Sequence, residues 1–224
     1  MPRPLRIVPG GVAYHVLNRA NLGLPLFTEP ADYEGFEAVL GRALERRPMR
    51  LLSYCVMPNH WHLVLWPEED GALSSWVAWL TKTHTQRWHT AHGTTGSGHL
   101  YQGRFRSFPV QHDDHLLSVC RYVEHNPLRA GLVERPQDWR WSSLWRRSQG
   151  SDAGLTPWPV AAPEDQLAWL NTPPTEAELT ALRQCAQRGQ PYGQPDWTAD
   201  MAARLGLDVT FRSRGRPRRE PKSS

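Results

Sequence analysis

The sequence predicts an α+β protein, a ferredoxin-like sandwich with a central antiparallel sheet and helices, followed by a small helical C-terminal extension. Three observations lead there. Strand-like stretches recur at 11–20, 50–56, 61–66 and 104–111. Segments with apolar residues at helical spacing separate them, in the order β-α-β-β-α-β-α, which forms two antiparallel pairings with helices on one face. After Arg147 the composition turns to Ser, Gly, Pro and Ala, and a helix signal returns at Thr175.

Residues 11–20, GVAYHVLNRA, alternate apolar and polar as a half-buried strand does. Thr28 to Arg47 reads as a helix, with Tyr33, Phe36, Val39, Leu40 and Leu44 at helical spacing. Residues 50–56 and 61–66 read as strands joined by Met57-Pro58-Asn59-His60. Residues 72–92 form a second helix, with Leu73, Trp76, Val77, Leu80 and Trp88 on one side, and Gly93 to Gly98 is a flexible break. Asp113 or Asp114 can cap a third helix running to Asn126, where Pro127 stops it. Residues 148–174 read as a linker or irregular wrap. Residues 175–210 form the helical extension: one helix begins at Thr175 with Glu178 three residues on and ends at Gly189, and a shorter one follows Asp196 to Gly206. Residues 211–224 are a basic tail, expected to be disordered without a partner.

Hydrophobic residues make up 39% of the 224 and include 11 Trp, enough for a real core. No run of ~18 apolar residues suggests a membrane span, and MPRPLRIVPGG lacks the apolar centre of a secretion signal. Cys55, Cys120 and Cys185 are too widely spaced for a zinc cluster and read as reduced core thiols of a cytoplasmic protein. The net charge is +4, but residues 211–224 alone carry +5, so the body is close to neutral. The basic balance therefore does not make the whole surface a polyanion binder.

His60 and His62 flank Trp61. In a strand, positions i and i+2 share a face, so both imidazoles project together, as two ligands of one metal ion must. A bare His-x-His is more often a pair of idle surface histidines than a metal site. The frame Met-Pro-Asn-His-Trp-His-Leu is more specific. A metallo-hydrolase pattern fails because Val64 and Leu65 stand where Asp and His are needed, and the helices argue against a cupin using Glu68. In 116–129, Leu116, Val119, Cys120 and Val123 form an apolar stripe. Ser118, Tyr122, His125 and Asn126 lie on a neighbouring, more polar face, with Tyr122 and Asn126 one turn apart. A tyrosine that attacks a phosphate and an amide ligand would sit this way, as would a core-edge tyrosine with an Asn ending its helix. Arg104 and Arg106, on one strand face, are spaced to meet successive phosphates, and Arg129 follows the tyrosine helix.

Met57-Pro58-Asn59-His60-Trp61-His62, then Gly103-Arg104-Phe105-Arg106, then Tyr122-Val123-Glu124-His125-Asn126-Pro127-Leu128-Arg129 resemble the HUH (His-hydrophobe-His) one-tyrosine transposases, and within them the REP-associated tyrosine transposases. The resemblance spans about 5–147 and makes 1–147 the catalytic domain. It implies a ferredoxin-like fold, Mg²⁺ or Mn²⁺, and cleavage of single-stranded DNA beside a hairpin. By motif it makes His60 and His62 metal ligands and Tyr122 the nucleophile, with Asn126 as third ligand. Many insertion-sequence relatives carry Gln at that position, and His125 is adjacent.

Such chemistry yields a 5′-phosphotyrosine and a free 3′-OH, so strands can be rejoined without ATP. A phenol of pKa ≈ 10 needs help, from the metal or from Arg121 and Arg129. The tail holds Arg214-Gly215-Arg216-Pro217, shaped for a narrow minor groove; it reads equally as a solubilising tail. The DNA partner is expected to be single-stranded and hairpin, with the protein a monomer or homodimer. Two rivals remain: a non-catalytic hairpin-binding protein derived from a transposase, and a metal phosphoesterase that uses water.

Overall fold

The computed structural model describes residues 8–212. Four strands, β1 (Ala13–Arg19), β2 (Arg50–Met57), β3 (His60–Trp66) and β4 (Arg106–Val110), form one antiparallel sheet in the order β2-β3-β1-β4. Helices α1 (Pro30–Arg46) and α2 (Ala72–Ala91) are the two crossovers, and α3 (Asp114–Glu124) follows β4. This is the expected ferredoxin-like α+β sandwich.

Local chemistry explains the boundaries. Pro30 opens α1, and the Asp32 carboxylate accepts the backbone N–H groups of Thr28 and Glu29. The Asp113 carboxylate caps α3 by accepting from His115 N–H. The tyrosine helix ends at Glu124, two residues earlier than expected. Pro127 does not stop it but sits in the first turn of a new four-residue helix, α4 (Asn126–Arg129), because a proline needs no amide donor there. β4 begins at Arg106, so Arg104 precedes the strand instead of sharing a strand face with Arg106.

Helices cover both faces of the sheet, where one covered face was expected. Residues Tyr14, Val16, Tyr54, Val56, Trp61, Leu63 and Leu65 pack under α1 and α2. The alternate residues Ala13, Leu52, Cys55, Val64 and Phe108 pack under α3. A β-bulge between Leu51 and Ser53 places Leu52 and Ser53 consecutively towards α3.

After α5 (Ser143–Ser148) the chain wraps across β2: Thr156 N–H donates to Leu51 O, and Trp158 Nε1 donates to Leu52 O. The wrap contains an unanticipated short helix, α6 (Gln166–Asn171). Helix α7 (Glu176–Arg188) shows the expected Thr175–Glu178 capping box and left-handed Gly189, and α8 (Pro195–Leu205) ends at Gly206. Leu179, Leu182 and Cys185 of α7 share one core with β4 and α3. Tyr192 then pairs with Pro109 and Gln111, covering the outer edge of β4. All three cysteines are buried and free, and no described helix is long and apolar enough to cross a membrane.

Candidate active site

The strand register assembles one row of polar groups on the α3 side of the sheet. Arg106 on β4 lies opposite Leu17 on β1, which lies opposite His62 on β3; one step along, Arg19 lies opposite His60. Paired residues project from the same face. His60 and His62 therefore stand together, ring centroids 4.9 Å apart, while Trp61 points into the opposite core, as the alternation predicted.

Each histidine is oriented by a hydrogen bond at Nδ1. Asn59 Nδ2 donates to Gly23 O, which turns Asn59 Oδ1 towards His60, and His60 Nδ1–H donates to it at 2.6 Å. His62 Nδ1 lies 2.8 Å from Nε2 of His15, and the two rings stack with centroids 5.0 Å apart. Both histidines are left with Nε2 for any further partner. Burial holds His60 down at about 4 and His15 at about 3, with neighbouring positive charge adding to it, and holds His62 well below its ordinary value. All three are neutral at pH 7, the state in which imidazole binds metal.

His15 is the site residue missed by sequence reasoning. A single histidine in an apolar strand reads as core, and its partnership exists only through the β1–β3 register, where it is diagonal to His62. The only available signal was that it lies on the same strand parity as Leu17 and Arg19.

Tyr122 faces this cluster from α3, its ring centroid 6.0 Å from those of His62 and His15. The Arg129 guanidinium lies over the Tyr122 ring, 5.0 Å from its centroid. Asn126 is brought to the same place. Its Nδ2 donates to Tyr122 O, and its Oδ1 is 3.5 Å from Arg129 Nη2. His125 turns elsewhere, to a buried position near the Asn171 backbone of α6. Arg121 is also diverted. It pairs with Glu178 of α7 at 2.7 Å and stacks on Trp169, so it is not the cation beside Tyr122. Two residues beyond the tyrosine, buried Glu124 accepts from Ser53, Ser143 and Arg147, which bolts α3 to β2 and α5. Burial raises the Glu124 pKa, against the pull of Arg147.

A groove of about 810 Å³ runs between β1, the approach to β4, and the C-terminal end of α7; Arg19, opposite His60, lines it, while His60, His62 and Tyr122 do not. Arg19, Arg104, Arg106 and Arg188 line it, with no acidic residue in the lining among the described residues. Arg104 and Arg106 thus reach one groove even though only one is in the strand. Arg214 and Arg216 lie outside the described residues.

The two histidines fit a divalent cation: both are neutral, rigidly held and offer the same nitrogen. Among the described residues no three His, Cys, Asp or Glu side chains are grouped to hold one. A third donor would be the Asn126 amide oxygen or an oxygen of a bound ligand.

The chain is thus an α+β protein with a ferredoxin-like sheet that sets a histidine pair against a helix-borne tyrosine, and comparison with known proteins gives its family. Residues 10–126 match the family described as Transposase IS200 like, and the chain belongs to that family. It is 24% identical over 141 residues to a REP-associated tyrosine transposase of Escherichia coli K12, covering 62% of this chain and 79% of that one. It is 25% identical over 119 residues to a candidate REP-associated tyrosine transposase of Haemophilus influenzae, covering 50% and 68%. A solved REP-associated tyrosine transposase bound to a REP hairpin shares the fold, with a TM-score of 0.54 at 22% identity over 73% of this chain and 92% of that one.

Proposed function

We propose that this transposase-family chain is a metal-dependent endonuclease and strand transferase acting on single-stranded DNA beside hairpin (REP-like) sites. The observation that carries the reading is the pair of Nε2 atoms that His60 and His62 present beside the Tyr122 ring. Mg²⁺ or Mn²⁺ held by His60 and His62, with Asn126 Oδ1 in third place, would withdraw charge from the non-bridging oxygens of a phosphodiester.

The chain's own groups supply the rest. Arg19, Arg104 and Arg106 grip the strand by its phosphates along the groove. Tyr122 Oη attacks phosphorus in line. The bond from phosphorus to the 3′ oxygen breaks, leaving a 5′-phosphotyrosine and a free 3′-hydroxyl. The net proton movement is from the phenol to the departing oxygen. Attack by a second 3′-hydroxyl reverses these steps and joins strands. Arg129 is the cation that lies over the Tyr122 ring. His15 positions His62 by holding its Nδ1. The basic tail, with Arg214 and Arg216, adds grip on the duplex stem.

A hairpin strand labelled in the segment on the 3′ side of the cleaved bond, which keeps the phosphate, incubated with Mn²⁺ and run on a denaturing gel, tests this. The wild type forms a protein–DNA adduct, and Tyr122→Phe forms none while still binding the hairpin. Undiminished cleavage by that variant would transfer the chemistry to water. One observation favours the non-catalytic rival: Tyr122 is only 6% exposed. Hairpin binding by the wild type without any cleavage would establish it.

A further inference from the structure

The loop between β1 and α1 is held at both ends. Ala20 N–H donates to Asn59 O, Asn21 N–H to Leu100 O, and Leu26 and Phe27 N–H both to Pro58 O. Leu26 and Phe27 are buried. Between these anchors, Leu22 is 82% exposed and Leu24 59% exposed. Leu22 is also the only described non-glycine residue with positive φ, at +56°. The left-handed region disfavours a residue with a Cβ. The turn is held by its backbone, with Leu22 N–H donating to Asn21 Oδ1 and Gly23 N–H to Ala20 O, while the Leu22 side chain stands in solvent.

The loop is tied to the histidine pair by a single amide. Asn59 Nδ2 donates to Gly23 O, and Asn59 Oδ1 accepts from His60 Nδ1–H. The group that orients His60 therefore also sets the height of the two leucines. Arg19, three residues before Leu22, is exposed, lines the groove, and lies close enough to His60 to act on its charge.

We infer that Leu22 and Leu24 form a stacking site for an unpaired nucleobase of the strand whose phosphate lies at His60 and His62. This rests on the proposed function and specifies how the strand is held. The occupant follows from its neighbours. A polyanion is drawn by Arg19, Arg104 and Arg106, in a groove with no acidic lining among the described residues. An unpaired base beside a hairpin offers a flat apolar face, and leucine is among the side chains that serve as wedges against base steps. A rigid apolar pair next to the phosphate site keeps the strand unstacked and fixes one nucleotide relative to the nucleophile.

The test is a protein–DNA double-mutant cycle on the full chain. Leu22→Gly removes the side chain and suits the positive φ, so the fold is kept. Hairpin strands are prepared intact and with single abasic sites on either side of the cleaved bond. Leu22→Gly is expected to weaken binding of the intact strand about tenfold. At one abasic position the wild type should bind as weakly as the variant, with no further loss on mutation. Leu24→Ser should behave in the same way with a smaller loss. Equal affinity of wild type and Leu22→Gly for the intact strand, with adduct formation intact, overturns this inference alone. Failure of the wild type to bind any single strand overturns the proposed function with it. A concentration-dependent dimer lost in Leu22→Gly, with strand binding unchanged, overturns it in favour of a contact between copies.

Discussion

The two faces of the sheet are built from the same strands and do opposite things. Towards α1 and α2, the strands send Tyr14, Val16, Tyr54, Val56, Trp61, Leu63 and Leu65, and the polar atoms there are closed within the core. Trp61 Nε1 donates to Tyr101 Oη, and Tyr101 in turn donates to His84 Nδ1. Towards α3, the alternate positions carry His15, His60, His62 and, along the row, Arg19 and Arg106. His60 and His62 make their hydrogen bonds at Nδ1 and keep Nε2 for another partner, and Arg19 and Arg106 are exposed. One face supplies stability and the other precision, and the two-residue period keeps the roles apart.

The sharpest break of this comparison is a pair of substitutions. Tyr122→Phe is expected to remove adduct formation entirely while shifting the melting temperature by no more than about 2 °C. Phe36→Ala, on the other face, is expected to lose about 3–5 kcal/mol of stability, read by urea unfolding. Under conditions where it remains folded, its adduct chemistry should persist. A Tyr122→Phe protein as unstable as Phe36→Ala would mean that the α3 face is also structural.

The next test concerns His15. His15→Ala is expected to weaken Mn²⁺ binding about 10- to 100-fold by titration calorimetry, because His62 loses the partner on its Nδ1. His15→Gln, whose amide oxygen can accept the same hydrogen bond, should recover part of it. Unchanged metal affinity in His15→Ala would make that histidine a packing residue only.

Acid should expose the shared cost of burying histidines on both faces. Burial lowers the folded pKa of His15 and His84 to about 3 and of His60 to about 4, against about 6.5 in the unfolded chain. The unfolded chain therefore takes up protons first as pH falls. Stability is full above pH 6.5 and declines through the window from 6.5 to about 3. His84→Gln is expected to flatten that decline by about 1.4 kcal/mol per pH unit. Unfolding free energies measured between pH 7 and 4 read the slope directly.

The smallest effects lie at the periphery. Arg106→Ala should reduce the salt slope for single-strand binding by about 0.7. Deleting 213–224 should flatten the salt dependence for the hairpin stem and leave the rate at saturating DNA unchanged. Glu178→Ala, which removes a capping box and the Arg121 pair, should cost about 1–2 kcal/mol.

Much of this was readable from local pattern. Strand alternation placed His60 and His62 together and Trp61 apart, because side-chain direction in a strand is fixed by position alone. Thr175, Glu178 and Gly189 marked α7 to the residue, because caps are local chemistry. What escaped depends on contacts between distant segments. Arg121 looked free to serve Tyr122 until Glu178, 57 residues later, claimed it. The cover on the second sheet face comes from α3 and α7, whose placement no single helix pattern contains. Pro127 was taken as a stop because proline disfavours the residue before it, yet a proline can equally open the next turn.

The position of α7 has a consequence for how the protein is made. Ala186 to Gly189 complete the arginine-lined groove, and Glu178 secures the helix that bears Tyr122. Glu178 lies 54 residues and Ala186 62 residues beyond Glu124, the last residue of that helix. During synthesis the sheet, the histidine pair and the tyrosine helix all leave the ribosome before the segment that closes the groove. A nascent chain thus presents His60, His62 and Tyr122 before the groove beside β1 and β4 has its α7 wall.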